Sequence, residues 1–418
     1  MTSRPLRLGF AGNMNCIPFQ YAFKLKQAGH QVRVIIETNR RDFLKRPEYY
    51  YPEITLPYPD WIVELPLPAS PTKQSFPAIF MREFIRELNA CDAVFLNDYA
   101  HALKPFLRPD LPAISICSGS DLDVLCRLDD VPERARAVGS RWWLRPFKTR
   151  LLARRTRLQR EGIRQGLVVN YFPEGINPVG DRLLEDIMRG QPYCRYQLRG
   201  VDLDRFPYVP PPRHDKLVVF SGTRFMWKDP LPAGCNPDEN KGNDIMIRGL
   251  ADFRRRYTGK LEIHFVEKGI HVEEAKALCR EVGLADDVIW HREMALTDLM
   301  RLYAESDICF DQVGRHWLGA VGIYAMATGR PLIANMRPDV FDRLTENNPI
   351  CHATDAASVC EWMEKLAADP ALREERGRIS RAYVLRYHSA ANDLTFFMSR
   401  IEEALAGRPT RSSPCAAS

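Results

Sequence analysis

No stretch of this 418-residue chain approaches the roughly 18 consecutive apolar residues that cross a bilayer as a helix. The opening Met1-Thr-Ser-Arg-Pro-Leu-Arg7 also lacks the apolar core of a signal peptide, so a cytoplasmic protein is expected. Cysteine is present but unpatterned: the 11 residues are odd in number and include no Cys-x-x-Cys pair and no Cys/His cluster with metal-ligand spacing. That argues against a disulfide framework and against a structural metal site. Cys16, Cys117, Cys309 and Cys351 lie among apolar neighbours and read as small buried hydrophobes in a reducing compartment. The Gly-x-Gly-x-x-Gly spacing of a dinucleotide fold is missing from the first strand–loop–helix, Leu6 to Ala28.

What is there is alternation. Apolar runs at Leu6–Phe10, Val32–Ile36, Ala93–Leu96, Ala113–Ile116 and Leu167–Asn170 are separated by helical stretches, the pattern of a parallel sheet. A proline-rich segment, Phe206-Pro-Tyr-Val-Pro-Pro-Pro212, precedes a fresh strand at Leu217–Phe220, and the alternation resumes with strands at 261–266 and 288–290 and helices at 243–257, 272–282 and 297–305. Single cores stop growing near about 250–300 residues, so two α/β domains are expected, 1–208 and 209–387, each Rossmann-like and doubly wound. Helices are expected at 356–367 and 371–386. An amphipathic helix follows over 392–406, marked by Leu394, Phe397, Met398, Ile401 and Leu405. The small, polar residues 407–418 are expected to be disordered.

The most informative segment is Asp307 to Asn335. Ile308-Cys-Phe310 reads as a strand, Gly319 to Thr328 as a buried helix, Gly329-Arg-Pro331 as its stop and Leu332-Ile-Ala334 as the next strand. The unpaired N–H groups at such a helix start could hold a diphosphate on Gly319, Ala320 and Val321. Equally, Gly319 and Gly322 could only let the helix lie close to the sheet.

Several motifs occur in order along the chain: Gly29-His30-Gln-Val32, Gly119-Ser-Asp-Leu122, Arg199-Gly-Val-Asp-Leu-Asp-Arg-Phe206, Gly222-Thr-Arg224, Lys241-Gly-Asn-Asp244 and Ala325-Met-Ala-Thr-Gly-Arg-Pro331. Together they resemble the family 4 glycosyltransferases of GT-B architecture, over nearly the whole chain. The resemblance implies two Rossmann-like domains facing a cleft, with the last helix, 388–406, crossing back onto the N-terminal one. It implies a nucleotide-diphosphate sugar as donor in the C-terminal domain, an acceptor in the N-terminal domain, no cofactor, no metal, and retention at the anomeric carbon.

On this reading Arg224 and Lys241 neutralise the diphosphate that leaves, helped by N–H groups at Gly319, Ala320 and Val321. Salt bridges from Arg224 to Asp229, Asp238 or Glu239, and a solvated Lys241, are the plainer alternatives. Gly12 and Asn13 face the donor, Arg292 and Met294 border the nucleobase, and Asn15, Asp98 and Ser118 line the acceptor side. Asp121 is a candidate base or a helix cap. The family's Glu-x7-Glu falls on His316 and Tyr324. Both carboxylates are therefore missing: His316 could face the donor sugar, and Tyr324 would take the ribose position as a neutral hydrogen-bonding partner. A noncatalytic GT-B protein that binds or regulates another glycosyltransferase is the alternative. The loop Phe225 to Asn240 could form a lid on the donor pocket.

Charge is uneven. Net charge is +6, and from Arg134 to Arg164 there are 11 Arg or Lys residues against one acid, Glu161. Trp142, Trp143 and Phe147 fall inside this stretch. Residues 134–164 could contact an anionic membrane surface peripherally, or form a solvated basic helix with its tryptophans docked on the sheet. No nucleic-acid motif accompanies the charge.

Overall fold

The structure, a computed structural model, describes residues 4–38, 43–137, 142–231, 239–314 and 318–407. The chain forms two compact units, one running from the N-terminus to Arg199 and resuming at Ala390, the other running from Gly200 to Ser389.

The first unit is built on strands β1 (Arg7–Ala11), β2 (Gln31–Glu37), β3 (Ile62–Leu65), β4 (Ala93–Asn97), β5 (Ala113–Ile116), β6 (Val168–Asn170) and β7 (Arg195–Tyr196). They pair in parallel in the order β3-β2-β1-β4-β5-β6-β7. Both faces are covered, so the central strands carry unbroken apolar runs such as Ala93–Leu96 rather than alternation. The chain leaves this unit and returns as the helix Ala390–Leu405. Its Leu394, Phe397 and Ile401 enter the same core as Phe10 and Phe95, with Phe397 edge-on to Tyr21 at 5.8 Å. The buried Asp393 takes Tyr21 Oη at 2.6 Å and Tyr196 Oη at 2.8 Å, so the returning helix is fixed by polar as well as apolar contacts.

The second unit contains β8 (Leu217–Ser221), β9 (Leu261–Val266), β10 (Val288–His291), β11 (Ile308–Phe310), β12 (Leu332–Ala334) and β13 (Cys351–His352), parallel in the order β10-β9-β8-β11-β12-β13. The order reverses beside β8, whose neighbours are β9 and β11. In doubly wound sheets the carboxyl ends of strands at such a reversal open a crevice for ligands.

The chain changes unit at Arg199–Gly200 rather than near 208. The proline segment packs within the second unit: Arg330, 1% exposed, donates to the Val209 and Pro210 carbonyls, and Val209 N–H donates to Thr328 O at 3.2 Å. The start of the 225–240 loop is likewise core, since Phe225 stacks edge-on to Phe265 at 5.4 Å and Trp227 is buried. Residues 232–238 lie outside the described residues. Nine cysteines are described, all buried and free.

Candidate active site

In the second unit, β8 and β11 run side by side with Ser221 opposite Phe310, so the residues that follow each strand emerge together. Asp311 comes first after β11. Its carboxylate is buried and accepts Gly319 N–H at 2.5 Å, just before the helix Ala320–Ala327, and Thr223 Oγ1 at 3.3 Å. The Gly319-x-x-Gly322 spacing now has a physical account. A Cβ on Gly322 would come within 2.6 Å of Asp311 Oδ2 and of Leu318 Cδ1, and one on Gly319 within 3.1 Å of the same carboxylate. The glycines make room for an internal anion. The next N–H groups, on Ala320 and Val321, have no partner within the helix, as at any helix start, and both residues reach the surface.

Lys241 approaches from the other side. Its backbone is clamped: Lys241 N–H donates to Met226 O at 2.8 Å, and its carbonyl accepts Val313 and Gly314 N–H at 3.2 and 3.3 Å. The next residue must be glycine. Gly242 is left-handed (φ +62°), and a Cβ there would lie 2.4 Å from Gly314 N. The half-buried ammonium makes no ion pair or hydrogen bond among the described residues. Burial pushes its pKa down from 10.5 to about 8, opposed by Glu239, deepened by Arg224 and opposed again by Asp311. Asp311 is pushed the other way, from 3.8 to about 6, by burial, against which its hydrogen bonds from the Gly319 and Gln312 backbone, then Lys241 and Thr223, act. Arg224 is exposed and, among the described residues, has no salt bridge. Of its expected partners, Asp229 accepts Asn240 Nδ2 at 3.3 Å, and Asp238 lies outside the described residues.

Two cations, a helix start and one buried carboxylate thus share a corner at the carboxyl edge of the sheet. Tyr324 stands on the same helix, its ring stacked on buried Phe206 at 4.3 Å and edge-on to Tyr303 at 6.4 Å. Its plane is held by aromatic packing. Arg292 is exposed just past β10, and Met294 is half-buried. His316 lies outside the described residues. Asp311 and Thr223 carry no role in the sequence reading; an acid directly after a buried three-residue strand was the available signal.

The candidates of the first unit gather differently. Gly12 (φ +78°) lies so close to Asn97 that a Cβ would sit 2.0 Å from its carbonyl oxygen. Asn97, fully buried, is the hub that sequence reasoning missed. Its Oδ1 accepts Met14 N–H at 2.8 Å, and its Nδ2 donates to Ile116 O, Ser118 Oγ and Asp121 at 2.8, 3.0 and 3.1 Å. Asn13 is turned inward, accepting Phe19 N–H at 3.0 Å and donating to Lys45 O at 2.9 Å. Asn15 is exposed in a left-handed conformation. Asp98 is half-buried and paired with Lys45 Nζ at 2.5 Å.

Asp121 requires a correction. It has no exposure, and its carboxylate accepts N–H groups from Ser118 (2.8 and 2.9 Å), Gly119 (2.9 Å) and Leu122 (3.2 Å) besides Asn97. A carboxylate so engaged has its lone pairs taken by the loop backbone and has no open path to a substrate proton. Asp121 is engaged as a frame for the loop, which favours the structural alternative over the candidate base. With His101 and Cys117 it also forms a cluster whose ligand atoms lie within 4.8 Å of one another, which spacing in sequence did not reveal. The donors on Asp121 and a Cys117 thiol pushed well above its ordinary range by burial fit a hydrogen-bonded core better than a metal site.

No family model matches the chain, and no curated protein matches it. Solved structures do. A glycosyltransferase from Rickettsia africae is 15% identical with a TM-score of 0.61, over 96% of this chain and 99% of that one. HepE from Anabaena, solved with UDP and glucose, is 12% identical with a TM-score of 0.63, over 95% and 100%. Sucrose-phosphate synthase from Thermosynechococcus elongatus is 14% identical with a TM-score of 0.60, over 96% and 99%. Likeness at such identities defines architecture: the two parallel sheets with their helices have the GT-B fold of these glycosyltransferases.

Proposed function

We propose that the chain is a glycosyltransferase that moves a sugar from a nucleotide-diphosphate donor, bound by the second unit, to an acceptor bound by the first. The observation that carries this is Lys241. A half-buried ammonium with a depressed pKa and no partner among the described residues costs folding energy, and such a cost is expected where a ligand supplies the counter-charge. Arg224 adds a second cation with no salt bridge among the described residues, and Ala320 and Val321 offer N–H donors. Together they would stabilise the diphosphate as the glycosidic bond breaks, in the role a divalent ion plays elsewhere. Tyr324 would meet the ribose, while Arg292 and Met294 would border the base. Asn15, Asp98 and Ser118, the surface-reaching members of the first unit's set, would meet the acceptor. Retention is the outcome we infer from the motif order.

A screen of UDP, GDP, ADP and their sugars by thermal shift tests the reading. At least one nucleotide should raise the melting temperature of the wild-type chain, with the shift lost in Arg224→Ala and Lys241→Ala. Transfer or hydrolysis of that donor should follow. No shift with any member would sink it. One observation favours a second reading, a noncatalytic binding protein: Asp121 is spent on the backbone and Asp98 on Lys45, so neither is a free base. That reading requires a nucleotide shift with no turnover.

A further inference from the structure

We propose that the aromatic corner at the start of the helix Arg145–Arg164 docks on an anionic lipid bilayer. The inner face of this helix is committed. Leu152 packs with Val131 and Ala135, the Leu151 carbonyl accepts Ser75 Oγ at 2.7 Å, and Arg154 Nε donates to Ser75 O at 2.9 Å. The residues around its start reach solvent instead. Trp142 is 73% exposed, Phe147 60%, Trp143 53% and Leu144 42%, so the tryptophans are not docked on the sheet. Large apolar side chains grouped this way on a surface mark an interaction site.

Charge selects the partner. Arg145, Arg150 and Arg157 are exposed and make no ion pair among the described residues, and the nearest acid along the helix, Glu161, is taken by Arg164 at 2.6 Å. Indole rings enter the headgroup boundary, and arginines beside them meet lipid phosphates. No helix among the described residues is long and apolar enough to cross a membrane, so the contact is peripheral. This inference stands apart from the donor corner and does not depend on sugar transfer.

The test is co-sedimentation of the full chain with vesicles of phosphatidylcholine alone and with phosphatidylglycerol added, with tryptophan emission read in parallel. The proposal expects binding to the anionic vesicles, a blue shift, and a loss of roughly tenfold or more on raising salt. Trp142→Ala/Trp143→Ala/Phe147→Ala should weaken binding about tenfold without lowering the melting temperature. Arg150→Glu/Arg157→Glu should do the same through charge. Equal sedimentation with both vesicle types would overturn the proposal, as would unaltered emission or full binding by both variants. Displacement of the chain from vesicles by duplex DNA, or an aromatic-dependent dimer that excludes vesicles, would also overturn it.

Discussion

Asp121 in the first unit and Lys241 in the second are both charged groups withdrawn from water, and they are treated in opposite ways. Asp121 is surrounded by N–H donors from Ser118, Gly119, Leu122 and Asn97. Lys241 is held among the described residues by its backbone alone, its ammonium unpaired there and its pKa lowered to about 8 by burial. A charge whose hydrogen bonds are all made inside the protein stabilises the fold and is closed to chemistry. One left unmade among the described residues, beside a second cation, is where the proposed diphosphate would supply the counter-charge. The contrast separates frame from proposed site more sharply than residue type does, since on type alone Asp121 stayed open between a base and a helix cap.

The largest effect that would break this comparison is at Asp121. Asp121→Ala leaves the Ser118 and Gly119 N–H groups without their acceptor and removes a buried partner of Asn97, and should destabilise the first unit by about 3–5 kcal/mol, read as an early melting transition. A stable variant that binds donor and lacks turnover would restore Asp121 to the catalytic set. Lys241→Met should do the reverse, abolishing nucleotide binding by roughly a hundredfold while raising apo stability by about 1–3 kcal/mol.

The pH dependence sharpens the same point. Lys241 has a folded pKa of about 8 against an ordinary 10.5, so between these values the unfolded chain binds the extra proton. Its contribution to stability therefore rises with pH across that window. Nucleoside-diphosphate affinity should move oppositely, falling as pH passes 8 by up to about tenfold per unit, and the fall should vanish in Lys241→Met. Calorimetry across pH 7 to 10 would check both signs. A smaller effect is expected at Asp311. Asp311→Asn keeps an acceptor for Gly319 N–H but removes a buried negative charge, and should tighten diphosphate binding by a few-fold. Weaker binding would mean that the carboxylate orders the helix start in a way an amide cannot.

Much of the architecture was legible because strand and helix periods are local signals. The strands at 93–97, 113–116, 217–221, 261–266 and 308–310 and the helix Ala320–Ala327 fall within a residue or two of expectation. The strands β3, β7 and β13 did not declare themselves: two to four residues long and remote from the middle of either sheet, they are set by tertiary pairing. The string most like the family, Ala325-Met-Ala-Thr-Gly-Arg-Pro331, proves to be scaffold. Gly329 is left-handed, Gly377 packs so closely that a Cβ would lie 2.1 Å from Gly329 O, and Arg330 is spent on Ser306, Val209 and Pro210 carbonyls. Asn97 and Asp311 were missed for a shared reason. Each acts by joining loops far apart in sequence, which becomes visible only once parallel strands set their ends side by side.

Melting wild type and Lys241→Met with and without the best nucleoside diphosphate tests the central claim most directly. The melting curves should cross: the variant melts higher than wild type when both are empty and lower once the nucleotide is present, because only wild type gains from the ligand. A variant that melts lower when empty, or that gains as much from the nucleotide as wild type does, would contradict it.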